Sequence, residues 1–188
     1  MNKLTEKENG YLFGLFEGDG YKYYCKKYRH YQIEFYLNSK KDKEIISFLL
    51  KLLDKLNLNV QRYLDKRFDC LRIRVNSKDM FHLFEKGISL DNKDDDFCLG
   101  YISGLIDSDG YVNPKKYSLS ITNTNQNALI NCQTFLKKIN INSSLKLKKA
   151  SKKDKKKTYL LHISVNFKRL AHLSIKTGKL DSGMEQPG

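Results

Sequence analysis

An internal repeat constrains the fold of this chain more than any other feature of its sequence. Residues 12–21, LFGLFEGDGY, align without a gap with residues 102–111, ISGLIDSDGY, at an offset of 90. The same offset relates residues 73–78, IRVNSK, to residues 163–168, ISVNFK. Two distant anchors that share one offset indicate a structural unit that occurs twice.

The repeat divides the 188 residues into two predicted halves, 1–90 and 91–188. Units of this size are small but still large enough to bury a core. The halves are predicted to differ by two insertions that cancel and so keep the offset at 90. The first half has six extra residues before residues 33–37, and the second half has six within residues 151–157. Both insertions are expected in hairpin loops, where added length is tolerated.

Periodicity and turn residues predict the same order of elements in each half, α-β-β-α-β-β-α, which is an α+β fold with one antiparallel sheet per half. Thr5 and Glu8 form a capping-box pattern at the start of the first helix. The first half is predicted to contain helix 6–18, strands 22–28 and 31–37, a helix with an apolar stripe from 45 to 56, strands 60–64 and 70–75, and a helix from 77. The second half is predicted to contain a helix from 94, strand 117–122, helix 125–139, and strands 143–149 and 159–165.

Small residues four positions apart recur on the repeated helix, as Gly14 with Gly18 and as Gly104 with Ser108. Residues at this spacing share one helix face, and small side chains there let two backbones approach closely. The two repeated helices are therefore predicted to pack against each other on a pseudo-twofold axis. Gly20 and Gly110, which follow the helices, are expected to adopt positive φ as helix terminators.

Each repeated helix is expected to end in an aspartate, Asp19 in the first half and Asp109 in the second. An acid is unfavourable at a helix C-terminus, and two neighbouring carboxylates repel each other. Oxygen ligands without nearby His or Cys suit Mg²⁺, so the pair is a candidate metal site for phosphodiester hydrolysis. A single Asp-Gly is more simply a turn signal, but two in register favour the metal site. Glu17 and Asp107 are expected to be structural.

The net charge of +14 identifies the class of partner, since 35 Lys and Arg against 21 Asp and Glu favour a polyanion. A membrane is disfavoured because no apolar run is long enough to span one. No signal peptide is visible, so the protein is expected to remain inside the cell, in whichever compartment contains the host DNA. Four widely spaced cysteines, at positions 25, 70, 98 and 132, give neither a zinc knuckle nor a redox pair.

The predicted strands carry apolar residues on one face and hydrogen-bonding residues on the other. A β-ribbon with such a polar face can enter the major groove of DNA, although a merely solvated face would show the same alternation. Lysines within residues 152–157 are candidate phosphate contacts. The candidate DNA-contacting residues are Gln32, Glu34, Tyr36, Arg72, Arg74, Ser118, Ser120, Lys146, Lys148 and His162.

Residues 102–110, ISGLIDSDG, resemble the LAGLIDADG motif of homing endonucleases, and residues 12–20, LFGLFEGDG, are a looser match. Spacing and element order are similar to those of the single-chain, two-motif members. The resemblance implies a monomer whose two sheets form a saddle over double-stranded DNA, with the motif helices above the minor groove. It also implies cleavage of both strands of a long, weakly palindromic site, leaving short 3′ overhangs.

The resemblance assigns roles at matching positions. Asp19 and Asp109 match the metal-binding acids, and the carbonyls of Gly18 and Ser108 match auxiliary metal contacts. It implies Mg²⁺ as cofactor, with Mn²⁺ substituting and Ca²⁺ supporting binding without cleavage. Polar residues just after the second strand, which in the family organise water around the metals, fall on Ser39 and Asn123. The lysine that family members place near the active site fits Lys93 best, ahead of Lys40, Lys116 and Lys179, although each could be an ordinary surface lysine.

Two other functions fit the same resemblance, because some relatives are intron RNA maturases and others are DNA-binding proteins that do not cleave. Such proteins can lose the acids and keep the fold. Both aspartates are intact here. The sequence therefore favours the nuclease over the maturase and the non-cleaving DNA-binding protein.

Overall fold

The computed structural model describes residues 4–113, 118–148, 157–164 and 174–178, and these form two halves of the same architecture. The first half contains α1 (Glu6–Asp19), β1 (Gly20–Cys25), β2 (His30–Asn38), α2 (Lys43–Lys55), β3 (Val60–Asp65), β4 (Cys70–Asn76) and α3 (Lys78–Glu85). The second contains α4 (Asp95–Asp109), β5 (Gly110–Asn113), β6 (Ser118–Asn123), α5 (Gln126–Lys138), β7 (Ser143–Leu147), β8 (Tyr159–Ser164) and a final turn of helix, α6 (Ile175–Gly178). The second copy of the 73–78 anchor lies mostly outside the described residues.

Each half has one four-stranded antiparallel sheet, with strand order β1-β2-β4-β3 in the first and β5-β6-β8-β7 in the second. The predicted α+β fold class is confirmed. Local signals explain the elements: Thr5 and Glu8 form the capping box that starts α1. The predicted stripe on α2 buries Ile45, Leu49 and Leu52 against the inner face of the sheet.

Glycines at the crossing of α1 and α4 bring the two helix backbones into direct contact. A Cβ built on Gly14 would lie 1.9 Å from the carbonyl oxygen of Tyr101, and one built on Gly104 would lie 2.1 Å from that of Tyr11. Gly10 and Gly100 meet the opposite helix in the same way, one turn earlier. The predicted pairing of the motif helices is therefore correct, and the stripe of small residues extends one turn further than predicted, to Gly10 and Gly100.

The seam formed by α1 and α4 lies between two hydrophobic cores, one under each sheet. Leu15 and Phe35 belong to the first core, and Leu105 and Ile121 belong to the second. Phe13, on α1, packs against both. No helix in the described part of the chain is both long enough and apolar enough to cross a membrane.

The expectation of positive φ at Gly20 and Gly110 is wrong. Their φ values are −92° and −79°, so each motif helix leads directly into an extended strand. Glycine is needed there for space: an added Cβ would lie 2.2 Å from the carbonyl oxygen of Phe16 at Gly20, and 2.4 Å from that of Ile106 at Gly110. Glycine is therefore required because the backbone passes close to the preceding helical turn, and not because the position needs a left-handed backbone conformation.

The predicted insertion of six residues before β2 is also wrong. Gly20 pairs with Phe35, 15 residues on, whereas Gly110 pairs with Ile121, 11 residues on, so the first half is four residues longer there. Phe35 pairs in turn with Ile73, and Ile121 with Leu161, which makes the offset 88 at the second anchor. A slip of two residues keeps the same face buried, so alternation alone cannot detect it.

The backbone contact at the seam predicts a large loss of stability for the smallest possible side chain. Gly14→Ala is expected to lower the free energy of unfolding by more than about 2 kcal/mol, because the added methyl group meets a carbonyl that belongs to a helix. Urea denaturation measures the difference. Glu6→Ala, an exposed change on the same helix, is the control and should shift stability by less than about 0.5 kcal/mol. Equal stability of the two variants would contradict the tight packing.

Candidate active site and nucleic-acid interface

Two aspartates lie side by side where the motif helices end. Asp19 is the last residue of α1, and Asp109 is the last residue of α4. The helices are still close at this point, since a Cβ on Gly18 would lie 3.1 Å from the carboxyl carbon of Asp109. The packing of the glycine stripe therefore brings together the two carboxylates that the sequence predicts as a pair.

The two carboxyl groups are poorly solvated and affect each other's ionisation. Burial raises the pKa of Asp19 to about 7, and the negative charge of Asp109 adds to the rise. Burial also raises the pKa of Asp109, while a hydrogen bond from Asn123 and the charge of Lys176 act in the opposite direction. A pair that resists ionisation in this way is suited to a cation.

A lysine from the C-terminal part of the chain supplies one positive charge at this site. The ammonium group of Lys176 donates to the Ser108 carbonyl at 3.0 Å, and its charge lowers the pKa of both aspartates. The backbone N–H groups of Ile175 and Lys176 donate to the Asp107 carboxylate at 3.1 and 2.8 Å. No local sequence signal marks Lys176 for this role, because its contact with Ser108 spans 68 residues of chain.

Glu17 and Asp107, which stand two residues before the paired aspartates, connect elements across the seam. The Tyr11 hydroxyl on α1 donates to Asp107 on α4 at 2.9 Å, in a buried hydrogen bond. Asn125, which caps α5, donates its side-chain amide to Glu17 at 2.7 Å. These contacts agree with the expected structural roles of Glu17 and Asp107, since each acid ties one half to the other.

Asn123 holds Asp109 in place. Its side-chain amide donates to the Asp109 carboxylate at 2.7 Å, and its carbonyl oxygen accepts from the Asn125 backbone at 2.7 Å. The expected equivalence of Ser39 with Asn123 is wrong, because strand pairing makes Leu37 the counterpart. Ser39 follows β2, where its backbone N–H donates to the Asp69 carbonyl. The same two-residue slip accounts for the error.

The expectation that Lys93 lies nearest the active site is wrong. It precedes α4 and lies over the Phe97 ring, with its ammonium nitrogen 4.9 Å from the ring centre. Asp109 is at the other end of this 15-residue helix, about 20 Å away at a rise of about 1.5 Å per residue. Lys40 pairs with Asp69 at 2.9 Å and is largely exposed. Lys116 and Lys179 lie outside the described residues.

The donors at the seam fit a divalent cation that keeps most of its water. Asp19 and Asp109 offer carboxylate oxygens, and backbone carbonyls such as that of Gly18 lie on the same helical turns; the Ser108 carbonyl accepts from Lys176. No group of three or more His, Cys, Asp and Glu residues converges anywhere in the ranges that the structure describes. Mg²⁺ suits such a sparse set of oxygens, because it retains waters and binds substrate phosphate.

Strand pairing gives the first sheet an outer polar face of large side chains. Cross-strand partners share a face, so Tyr36 and Arg72 lie together, as do Glu34 and Arg74, on the side away from the core. Gln32, paired with Asn76, lies on the same face. Within this set Glu34 is buried, with 4% of its surface exposed.

The outer face of the second sheet carries smaller side chains. Ser120 pairs with His162, and Ser118 lies two residues away on the same face. Lys146 pairs with Leu160, and Lys148 follows β7 as an exposed residue. Of the lysines in 152–157, only Lys157 lies within the described residues, and it is exposed. The two faces therefore differ in size and charge.

Comparison with known proteins identifies relatives of the whole arrangement. A family model described as a LAGLIDADG-like domain matches residues 6–89 and 96–174. Mesophilic variants of the homing endonuclease I-DmoI are 21% identical to this chain, with a TM-score of 0.72 over 94% of this chain and 98% of theirs. The structure of I-DmoI in complex with DNA and Ca gives 22% identity and a TM-score of 0.72, with the same coverage.

A second kind of protein shares the fold. Full-length DUF199/WhiA from Thermatoga maritima is 20% identical, with a TM-score of 0.65 over 97% of this chain and 62% of that chain. No curated protein matches the sequence. At these levels of identity the structural likenesses establish the fold.

The raised pKa of Asp19 predicts that removing its charge stabilises the metal-free protein. The folded state binds the proton more tightly than the unfolded state, so wild-type stability falls as pH rises from about 4 to about 7. At about pH 8, in EDTA, Asp19→Asn is expected to raise the free energy of unfolding by about 1–3 kcal/mol. The difference should disappear near pH 4. Urea denaturation at both pH values, with the exposed Asp54→Asn as control, checks this; equal stabilities at pH 8 would contradict it.

Proposed function

The chain belongs to the LAGLIDADG-like domain family, and we propose that it is a site-specific endonuclease that cleaves both strands of DNA with Mg²⁺. One observation carries the proposal: two half-buried aspartates with raised pKa values adjoin each other at the ends of paired helices. A plain structural role would not require two neighbouring carboxylates with weakened solvation. The net charge of +14 supports DNA as the partner.

Asp19 and Asp109 would hold the metal, together with phosphate oxygens of the substrate. When bound there, Mg²⁺ would neutralise charge that develops on the phosphate during hydrolysis and favour the ionisation of nearby water. We expect Mn²⁺ to substitute for Mg²⁺, and Ca²⁺ to support DNA binding without cleavage.

The surrounding residues of the chain orient the two acids. Asn123 fixes one carboxylate oxygen of Asp109 by its 2.7 Å hydrogen bond, which leaves the other oxygen to the metal. Lys176, held by the Asp107 carboxylate, provides a cation beside both acids. In the complex we assign its ammonium group to the stabilisation of negative charge on the scissile phosphate.

The target we propose is long and only weakly palindromic, because the two halves place different side chains on their DNA-facing strands. The first sheet offers Arg72, Arg74 and Tyr36, whereas the second offers Ser118, Ser120 and His162. Arginine recognises guanine by paired hydrogen bonds, and hydroxyl groups contact several bases. A single chain with two unlike faces would bind as a monomer.

A maturase or a non-cleaving DNA-binding protein would share this fold but would not need the acids. The experiment that separates these functions is selection of cleaved molecules from a randomised double-stranded DNA library in Mg²⁺. Recovery of one cleaved sequence supports the endonuclease and identifies its site. Enrichment by binding without cleavage, or preferential binding of structured RNA, would replace it with one of the alternatives.

Asp109→Asn is expected to abolish cleavage of both strands, because it removes one of the two carboxylates that hold the metal. Binding to the selected DNA in Ca²⁺ should be retained, since the sheet faces are unchanged. Cleavage is followed on labelled DNA, and binding by fluorescence anisotropy. Asp95→Asn, at the opposite end of the same helix and paired with Lys138, is the matched control and should cleave normally. Full cleavage by Asp109→Asn would remove the catalytic assignment.

Lys176→Met is expected to reduce the single-turnover cleavage rate by about 10- to 1000-fold, because a cation beside the phosphate is lost. The affinity for DNA in Ca²⁺ should change little. The control is Lys138→Met, which removes an exposed lysine on α5 that pairs with Asp95, at the end of α4 opposite to Asp109. A Lys176→Met enzyme that cleaves at the wild-type rate would show that the lysine has no part in the reaction.

A further inference from the structure

A buried carboxylate lies in the middle of the proposed DNA-binding face of the first sheet. Glu34 is on β2, opposite Tyr21 on β1 and Arg74 on β4. Its neighbours on this face are partly or largely exposed: Tyr21 is 52% exposed and Tyr36 is 40% exposed. Glu34 itself is only 4% exposed, so the surrounding side chains cover it.

The covering side chains are bound to the carboxylate. Arg74 donates its Nε–H to one oxygen at 2.6 Å, and the Tyr36 hydroxyl donates to the other at 2.5 Å. The Nε of Arg72 lies 3.9 Å from the oxygen that Arg74 binds. Glu34 therefore has a donor on each oxygen and a second cation at the limit of an ion pair.

The ring of Tyr63, on β3, packs against both Arg72 and Arg74. The guanidinium carbon of Arg72 is 4.7 Å from the centre of the Tyr63 ring, and that of Arg74 is 5.1 Å from it. The Tyr63 hydroxyl donates to Gln61 at 2.9 Å, which fixes the ring on the sheet. Both arginines are thus held between a carboxylate and an aromatic face before any DNA is present.

These contacts leave the arginines able to bind a base edge. Arg74 uses its Nε–H on Glu34, and a guanidinium has further N–H donors on its terminal nitrogens. The side chains of Arg72 and Arg74 remain 35% and 22% exposed. A fixed guanidinium loses less conformational entropy when it pairs with guanine than a free one does.

The carboxylate also lowers the net charge of the cluster from +2 to +1. Burial alone would raise the pKa of Glu34, but the hydrogen bonds from Tyr36 and Arg74 and the arginine charges outweigh it, and the pKa is lowered. Glu34 therefore stays ionised at neutral pH. A negative charge between the arginines disfavours a phosphate group at the same place.

We propose that Glu34 is a positioning residue for specificity, which fixes Arg72 and Arg74 toward base edges and away from the phosphate backbone. This inference rests on the proposed function of site-specific DNA binding. It replaces the expectation that Glu34 contacts DNA directly, because Glu34 is only 4% exposed and each of its oxygens already accepts a hydrogen bond from a covering side chain. In the second sheet the counterpart of Glu34 by strand pairing is Ser120, which has no carboxylate to hold an arginine. The effect is therefore confined to the half of the site under the first sheet.

The test compares base preferences of variants that bind a randomised double-stranded DNA library in Ca²⁺. Glu34→Gln keeps the shape of the side chain and removes its charge. We expect discrimination at one or two base positions of one half-site to fall at least about fivefold. The salt dependence of binding should become steeper by about one unit of slope, because a freed arginine binds phosphate. Arg72→Ala marks the positions at which the loss should occur.

Two further variants make the outcome decisive. Asp54→Asn removes the same charge from an exposed site on α2 and controls for net charge, so it should leave the base preferences intact. Tyr36→Phe keeps the carboxylate but removes one of its donors, and a smaller loss at the same positions is expected. It also serves as the deciding variant if thermal melting shows that Glu34→Gln is unfolded.

Each outcome bears on one of the two proposals. Unchanged base preferences in folded Glu34→Gln, or in Tyr36→Phe where the first variant does not fold, would overturn the positioning role and leave the site-specific function intact. A loss spread evenly over both half-sites would also overturn it. If the wild-type protein shows no base preference at all, the proposed function itself fails, and the role of Glu34 fails with it.

Discussion

The contact between the backbones of α1 and α4 determines where everything else in the molecule lies. Glycines on each helix admit a carbonyl group of the other, so the helix axes cannot separate without opening a gap in both cores. The same contact holds Asp19 beside Asp109 and fixes the position of the two sheets on either side. The site is thus a result of how the halves pack, and neither half contains it alone.

Although the two halves share one architecture, the surroundings of Asp19 and Asp109 differ. Asp109 has the amide of Asn123 on its carboxylate, whereas the position equivalent to Asn123 in the first half is Leu37, a core residue. Lys176 approaches the pair from the second half. The sheet faces differ in the same way, with a charged cluster around Glu34 in the first sheet and hydroxyl groups in the second. Repetition gives the frame, and later divergence sets the chemistry at each half.

The sequence predicted those features that depend on local periodicity. Residues at helical spacing predicted the seam, and the Thr5 capping box predicted the start of α1. Alternation in β2 and β4 correctly separated core residues from outer ones, but it could not distinguish registers that differ by two residues, so Ser39 was matched with Asn123 in place of Leu37. Distance along the chain does not report distance in space, so the sequence favours Lys93 and gives no sign of Lys176. The burial of Glu34 was equally invisible, since it depends on side chains from three strands.

Phe13 has a consequence for how the molecule unfolds. Its ring packs against both hydrophobic cores, next to a helix pair joined through glycines. If one half came apart, the other would lose a wall of its interior and expose the apolar side of a motif helix to water. The free energy of unfolding of each half therefore depends on whether the other half is folded. The chain should unfold in a single cooperative transition despite its duplicated architecture.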